Sequence, residues 1–171
     1  MNKELQYMRL VHNIGDTQHS NYNTRSEILA CDEPLGFDGV YLNVYENQDT
    51  LEDKTGVFFV MGNYMGKDNE FDLMHAPNLE EYCTWKQINE MVDKYDFDIG
   101  WHTYSHPDLT TLTKEEIMLE ITPPFPMKYF AYPYGKYNKL VIECVEEAGY
   151  EKAWSVTQGD EEPYTLRRDY I

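Results

Sequence analysis

Blocks of apolar residues alternate with polar segments along the chain, and their spacing predicts strands and helices by turns. Residues 57–62 form a continuous run of β-branched and aromatic side chains closed by glycine, which predicts a buried strand. The spacing of Thr84 and Gln87 matches a capping box, and one apolar stripe follows it at helical intervals. We expect this stripe to face the sheet, close to three buried strand residues. The stripe and strand residues concerned are Trp85, Ile88 and Val92, and Val57, Phe59 and Trp154.

Further helices and strands follow from the same signals. Thr113 and Glu116 form a second capping box, and Asn138 is placed to cap a third helix that Gly149 ends. One strand is expected to end near Asp38. Other short apolar stretches predict strands at residues 8–12, 27–31, 97–101, 127–132, 152–156 and 166–171. This alternation indicates an α/β fold with a largely parallel sheet, most simply a single domain over residues 1–171.

Composition narrows the class of partner. The chain carries 31 acidic against 14 basic residues, a formal net charge of −17, which disfavours nucleic acid and anionic membranes but not neutral or amino-bearing ligands. We find no apolar run long enough to insert in a membrane and no secretory signal. The three cysteines, Cys31, Cys83 and Cys144, form no Cys-x-x-Cys pair. Reduced, buried thiols and a cytoplasmic location are therefore the expectation.

Two of the five histidines, His102 and His106, form an H-x-x-x-H pattern directly after a predicted strand. Pro107 disfavours a helical conformation at His106, so the pair is expected at a strand end and in the loop that follows. Imidazoles that converge at such a strand end are plausible ligands of a divalent metal. The alternative is two unrelated loop histidines.

Asp38 is expected at the same edge of the sheet as the two histidines, because the carboxyl ends of parallel strands point one way. A carboxylate beside a histidine-bound metal can be a ligand or the general base for water. The alternative is an ordinary turn aspartate before Gly39.

Four motifs together resemble the polysaccharide deacetylase family, also called the NodB-homology or carbohydrate esterase 4 family. They are Phe37-Asp38-Gly39-Val40-Tyr41, the apolar strand ending at Gly62, residues 100–110 around the histidines, and Tyr132-Pro133-Tyr134-Gly135. The resemblance implies a distorted (β/α) barrel that removes acetyl groups from N-acetylated sugars with zinc or another divalent ion.

The resemblance also implies roles for individual residues. His102 and His106 match metal ligands, Asp38 matches the catalytic base, and the backbone N–H of Tyr134 matches a donor that stabilises an oxyanion. Aromatic residues near the site are candidates to stack on the sugar, and packing in the core is an equal explanation for them. The substrate-binding candidates are Trp101, Tyr132, Pro133 and Tyr134.

Several positions depart from the family pattern. The second aspartate of the first motif is Gly39, its threonine is Gly36, and the arginine of the third motif, which orients the base, is Ala131. The late histidine that serves as general acid is missing, and the chain is short for a complete barrel.

These departures leave three readings open. Asp38 becomes the metal ligand, which we favour slightly because two histidines seldom complete a zinc site. Asp32 or Glu33 supplies the missing carboxylate, or the metal and catalysis are lost. His12 is a candidate replacement for the missing acid, provided that its strand neighbours the site.

The sequence thus predicts a cytoplasmic, metal-dependent hydrolase that removes an acyl group from an N-acylated sugar, an intracellular glycan precursor. The competing prediction is a catalytically degenerate carbohydrate-binding or regulatory protein on the same fold.

Overall fold

The structure is a computed structural model that describes residues 5–15, 22–73 and 79–171. Short strands and helices alternate along the chain. The strands are β1 Met8–Val11, β2 Asn13–Ile14, β3 Tyr22–Asn23, β4 Leu35–Asp38, β5 Thr55–Val60, β6 Asp96–Trp101, β7 Tyr129–Ala131, β8 Lys152–Trp154 and β9 Arg168–Tyr170. The α-helices are α1 Arg25–Ala30, α2 Leu42–Glu46, α3 Trp85–Lys94, α4 Lys114–Ile121 and α5 Lys139–Glu147.

Seven strands form one parallel sheet in the order β8-β7-β6-β5-β4-β1-β9. The segment around β9 also reaches β8 and the residues just after it, because the N–H of Leu166 donates to Ala153 O and the N–H of Thr157 donates to Arg168 O. The sheet is therefore curled into a nearly closed barrel, which confirms the predicted α/β barrel. All seven strands direct their carboxyl ends to one face.

The helices begin where the capping signals predict. Thr84 accepts from the N–H of Gln87 at the start of α3, and Thr113 caps α4 in the same way. Asn138 caps α5. The strand predicted at residues 27–31 is wrong: this stretch belongs mainly to α1, since Thr24 and Glu27 form a capping box there.

Apolar side chains fill two spaces, one between barrel and helices and one inside the barrel. On α3, Ile88 is buried and Trp85 and Val92 are half-buried against the outer core, as expected. Val57, Phe59 and Trp154 are buried as predicted, but they lie inside the barrel with Met8, Ala131 and Leu166. Alternate residues of a strand point to opposite faces, so these side chains face away from α3.

The interior of the barrel is narrow. A Cβ added at Gly36 would lie 2.6 Å from Met8 Sδ and 3.1 Å from Arg168 Nη1. A Cβ at Gly100 would lie 2.6 Å from Phe59 Cδ1. Both strands therefore need glycine where larger side chains, including one arginine, already fill the space.

Among the described residues, no helix has the length and apolar character needed to cross a membrane.

Candidate active site

A pocket of about 320 Å³ opens at the carboxyl ends of the strands. Asp38 ends β4, His102 follows β6, and Tyr134 lies in a single 3₁₀ turn after β7. His12 follows β1, which pairs in parallel with β4, so it lies beside Asp38 across two adjacent strand ends. The barrel topology thus brings these four residues, predicted from separate motifs, to one pocket wall together with His106.

The ring of His102 is fixed in one tautomer. Its Nδ1 lies 2.7 Å from the carbonyl oxygen of Ala131, which only accepts, so Nδ1 carries the proton and donates. His102 is 2% exposed, and burial lowers the pKa of its imidazole. The neutral ring therefore keeps an unprotonated Nε2, and a histidine that ligates a metal is commonly held in this way.

That Nε2 atom faces the other candidate ligands. It lies 3.2 Å from Nε2 of His106 and 3.7 Å from Oδ2 of Asp38. Two zinc-bound nitrogens, each about 2.0–2.1 Å from the ion in tetrahedral geometry, are separated by a similar distance. The spacing of these two nitrogens is therefore compatible with two ligands of one ion.

The loop between the two histidines is backbone-strained and internally braced. Thr103 has φ 71° and His106 has φ 60°, in the left-handed region that costs energy for residues other than glycine. Thr103 Oγ1 accepts from the N–H of His106 at 2.9 Å. This contact holds the second histidine against the first.

Glu120 on α4 fastens the same loop from outside. Its carboxylate accepts from the N–H of Ser105 at 2.8 Å and from the Ser105 hydroxyl at 2.6 Å. Its carbonyl oxygen accepts from the N–H of Tyr104 and from the Trp101 indole, both at 2.9 Å. Four hydrogen bonds to a single residue thus hold the segment that carries both histidines. No motif in the sequence points to this role of Glu120.

Asp38 is held by an arginine that the sequence analysis missed. Nη1 and Nη2 of Arg168 donate to its two carboxylate oxygens at 2.6 and 2.8 Å. Arg168 is fully buried inside the barrel, where its Nε donates to Ser155 O and its guanidinium lies 5.1 Å from the Phe59 ring centre. Strand alternation in β9 was the available signal, because one of the adjacent arginines at 167 and 168 has to point inward.

The charge of Asp38 follows from this pair. Burial alone raises the pKa of the carboxyl, but the positive charge of Arg168, with a smaller contribution from His102, outweighs it and lowers the pKa to about 2. Asp38 is therefore ionised at neutral pH, although only 6% of the residue is exposed.

The predicted substrate contacts divide into two groups. Tyr134 lines the pocket, is 44% exposed, and has its ring centre 4.7 Å from that of His106. Trp101, Tyr132 and Pro133 are instead buried in the core, so their prediction as sugar contacts is corrected. Their positions have a physical cause: the Trp101 indole bonds Glu120, and the Tyr132 hydroxyl donates to Tyr164 O. Other pocket aromatics went unnoticed in the sequence, namely Tyr41, Phe71, Tyr82 and Tyr170.

Asp32 and Glu33 do not reach the pocket. Both precede β4 and therefore lie at its amino end, with the length of the strand between them and Asp38. Glu33 Oε1 lies 3.5 Å from Arg9 Nη2. The prediction that one of them supplies the missing carboxylate is thus corrected.

His12 meets the condition set for an accessory role. β1 neighbours the site, and the half-buried His12 ring stacks on Tyr170 with ring centres 6.1 Å apart. Its charge is also among the lesser influences that lower the pKa of Asp38.

The residues fit a divalent metal in part. His102 and His106 supply two converging nitrogens, but Arg168 already engages both oxygens of Asp38. Within residues 5–15, 22–73 and 79–171, no group of three or more His, Cys, Asp or Glu side chains is arranged to hold a metal ion. His19 and His75 lie outside these ranges.

A nearly closed parallel barrel, with two histidines and an ionised aspartate at the carboxyl ends of its strands, defines a barrel of the NodB-homology type. Residues 38–153 match the sequence pattern of the family described as polysaccharide deacetylase, and the chain belongs to that family.

Known relatives agree with this assignment. The peptidoglycan-N-acetylmuramic acid deacetylase PdaA of Bacillus subtilis is 32% identical, over 71% of this chain and 46% of PdaA. The chain thus spans about half the length of this curated relative.

Solved structures share the fold. The Streptococcus pyogenes deacetylase PplD, in complex with acetate, has a TM-score of 0.74 at 16% identity, over 96% of this chain and 91% of PplD. IcaB from Ammonifex degensii has a TM-score of 0.75 at 17% identity, over 96% and 91% of the two chains.

Proposed function

We propose that this chain is a hydrolase that removes the acetyl group from an N-acetylated sugar with the help of a divalent metal held by His102 and His106. One observation carries the proposal: the lone pair of the His102 Nε2 atom faces His106 Nε2 at 3.2 Å, beside an ionised Asp38. Family membership supports sugar deacetylation as the reaction class, and the family is generally dependent on divalent metals.

In the reaction, water adds to the acetamide carbonyl carbon and the C–N bond breaks, which gives acetate and an amino sugar. A bound divalent ion, with zinc our first choice, would polarise the carbonyl and make the water more acidic. Asp38 accepts a proton from that water. Arg168 holds the carboxylate in position, as the arginine of the third motif does in the family pattern.

Two further groups complete the proposal. The backbone N–H of Tyr134, at the pocket edge, stabilises the negative charge that develops on the carbonyl oxygen. His12, next to Asp38, donates a proton to the departing nitrogen in place of the missing late histidine.

The arginine pair favours Asp38 as base over Asp38 as metal ligand. A carboxylate whose two oxygens already accept hydrogen bonds from one cation is a weaker ligand for a second cation. It can still accept a proton on the side that faces His102. This reverses the slight preference drawn from the sequence.

The experiment compares metal content and hydrolysis of N-acetylated sugars in wild type, Asp38→Asn and His102→Ala. We expect Asp38→Asn to keep metal and lose hydrolysis, and His102→Ala to lose both. Joint loss of metal and activity in Asp38→Asn would instead make Asp38 a ligand. Full activity in Asp38→Asn would contradict the proposed mechanism.

The second candidate function is sugar binding without catalysis. It is favoured by Gly39 in place of the second aspartate and by the incomplete set of ligands among the described residues. Metal-free protein that binds sugar and hydrolyses none of a broad set of acylated sugars would support it. An intracellular glycan precursor and a cytoplasmic location stay predictions, and subcellular fractionation tests the location.

A further inference from the structure

Phe71 and Tyr64 form an aromatic pair at the rim of the pocket. Their rings are stacked, with centres 3.9 Å apart and planes 16° apart. Phe71 is 39% exposed, lines the pocket, and has its ring centre 6.0 Å from that of His106. A flat apolar ring is thus presented to solvent directly beside a proposed metal ligand.

A second exposed ring lies next to the same histidine. Tyr134 is 44% exposed and its ring centre is 4.7 Å from that of His106. Two exposed aromatic rings, those of Phe71 and Tyr134, therefore lie next to His106. Exposed aromatics scattered singly need no explanation, but two around one catalytic pocket mark a ligand surface.

The Phe71–Tyr64 pair is fastened to the histidine loop. The Tyr64 hydroxyl donates to Ser105 O at 3.4 Å, and the N–H of Asn63 donates to Tyr104 O at 2.8 Å. The N–H of Gly62 donates to Thr103 O at 3.2 Å. The Tyr64 ring that backs Phe71 is thus held by the same loop that carries His106.

Charged groups close to this pair restrict what it accepts. A shallow surface depression is lined by the aromatic pair and by three charged residues, two acidic and one basic: Asp68, Glu70 and Lys67. Their charges sum to negative, in line with the formal net charge of −17 for the whole chain. An anionic ligand is disfavoured there, whereas a neutral or amino-bearing ring with an apolar C–H face suits the exposed Phe71.

We propose that Phe71, backed by Tyr64, is a sugar-ring subsite next to the reaction pocket, which binds an uncharged or amino-bearing pyranose adjacent to the sugar that is deacetylated. The substrate is then an oligosaccharide of at least two sugars. This inference rests on the proposed function for the identity of the ligand, but the subsite itself is defined by binding.

Binding therefore provides the test, in an Asp38→Asn background so that no sugar is consumed. Calorimetry compares triacetylchitotriose with the monosaccharide N-acetylglucosamine. Replacing Phe71 by Leu removes the flat ring while keeping an apolar side chain. We expect it to weaken trisaccharide binding about threefold to tenfold, the scale of one lost aromatic contact, with a clearly smaller change for the monosaccharide.

Two controls sharpen the result. Phe71→Tyr keeps the ring and should restore trisaccharide binding. Leu119→Ala, at a side chain that is 77% exposed on α4, should change neither affinity. Equal losses for both sugars, no loss in Phe71→Leu, or no binding of either sugar to the parent protein would overturn the inference. Trisaccharide binding that depends on Phe71, in a wild type that hydrolyses nothing, would contradict the enzyme proposal alone.

Discussion

The two sides of the pocket are built in opposite ways. His102 and His106 are four residues apart, on one loop that Glu120 braces at the protein surface. Asp38 and Arg168 are 130 residues apart and meet inside the barrel, where both are buried. One side is a local motif with external support, and the other is a long-range ion pair that depends on the closed sheet.

The difference determines what each side tolerates. Near the surface, water can replace a lost hydrogen-bond partner, so the loss of one hydrogen bond is partly compensated. A buried charge that loses its partner has no such compensation, so its loss lowers the free energy of unfolding of the whole barrel. Substitutions on the Asp38 side should therefore lower the stability of the whole protein as well as its activity. Substitutions on the histidine side should lower stability less and act mainly on the histidine loop.

The largest effect is expected from Arg168→Met, which leaves Asp38 buried without its partner. We expect the free energy of unfolding to fall by about 3–5 kcal/mol, measured by urea denaturation. Asp38→Asn in the same chain should recover part of this loss, because the unpaired charge is then gone. Arg167→Met, at the adjacent exposed position, is the matched control and should cost less than about 0.5 kcal/mol. A loss below about 1 kcal/mol in Arg168→Met would contradict the asymmetry.

Glu120→Ala should be the strongest substitution on the histidine side. It removes the carboxylate that accepts from Ser105 twice but keeps the backbone carbonyl contacts, so we expect a loss of about 2–3 kcal/mol in unfolding free energy. Zinc affinity, measured by competition with a chromogenic chelator, should fall as well. Glu115→Ala on the same helix is the control and should leave both quantities nearly unchanged. An unchanged zinc affinity in Glu120→Ala would show that the brace does not position the histidines.

Acid should weaken the Asp38 side selectively. The folded-state pKa of Asp38, about 2, lies below its ordinary value of 3.8, so its contribution to stability is complete above pH 3.8 and disappears as the pH falls toward 2. The shift corresponds to about 2 kcal/mol. In chelator-treated protein, the stability difference between wild type and Asp38→Asn should shrink over this interval. A difference that stays constant from pH 5 to pH 2 would contradict the lowered pKa.

Ser105→Ala should have the smallest effect. It removes only the hydroxyl that donates to Glu120 at 2.6 Å and keeps the backbone N–H contact, so we expect a loss of about 1 kcal/mol. Sugar hydrolysis should remain close to that of wild type. In a double-mutant cycle with Glu120→Ala, the serine substitution should add little, and full additivity would show that the two groups act independently.

Much of the fold was predictable because its signals are local. The Thr84–Gln87 and Thr113–Glu116 capping boxes placed α3 and α4, and the apolar run before Gly62 placed β5. The strand predicted at residues 27–31 is wrong because the capping box of Thr24 and Glu27 starts a helix there, and so short an apolar stretch fits a helix as well as a strand.

The site residues that end or follow predicted parallel strands were predictable, because those strand ends meet at one edge of the sheet. His102 and His106 belong to one motif, whereas Arg168 becomes a neighbour of Asp38 only through barrel closure. Gly36 and Ala131, the positions where the family pattern has threonine and arginine, both face the interior that Arg168 enters. The sequence shows the missing threonine and the missing arginine as two separate departures. In the structure, Arg168 of β9 lies in the interior that both positions face.

The seam formed by β9 has a consequence for how the protein folds. β9 pairs with β1 and its flanking residues bond β8, so the strand that carries Arg168 joins elements far apart along the chain. Contacts of such sequence separation form late, since their loop-closure entropy is not recovered until the ends meet. Asp38 therefore gains its arginine partner only when the seam closes. Transient opening of the seam would exchange the amide hydrogens of Leu166 and Thr157 and release Asp38 in the same event.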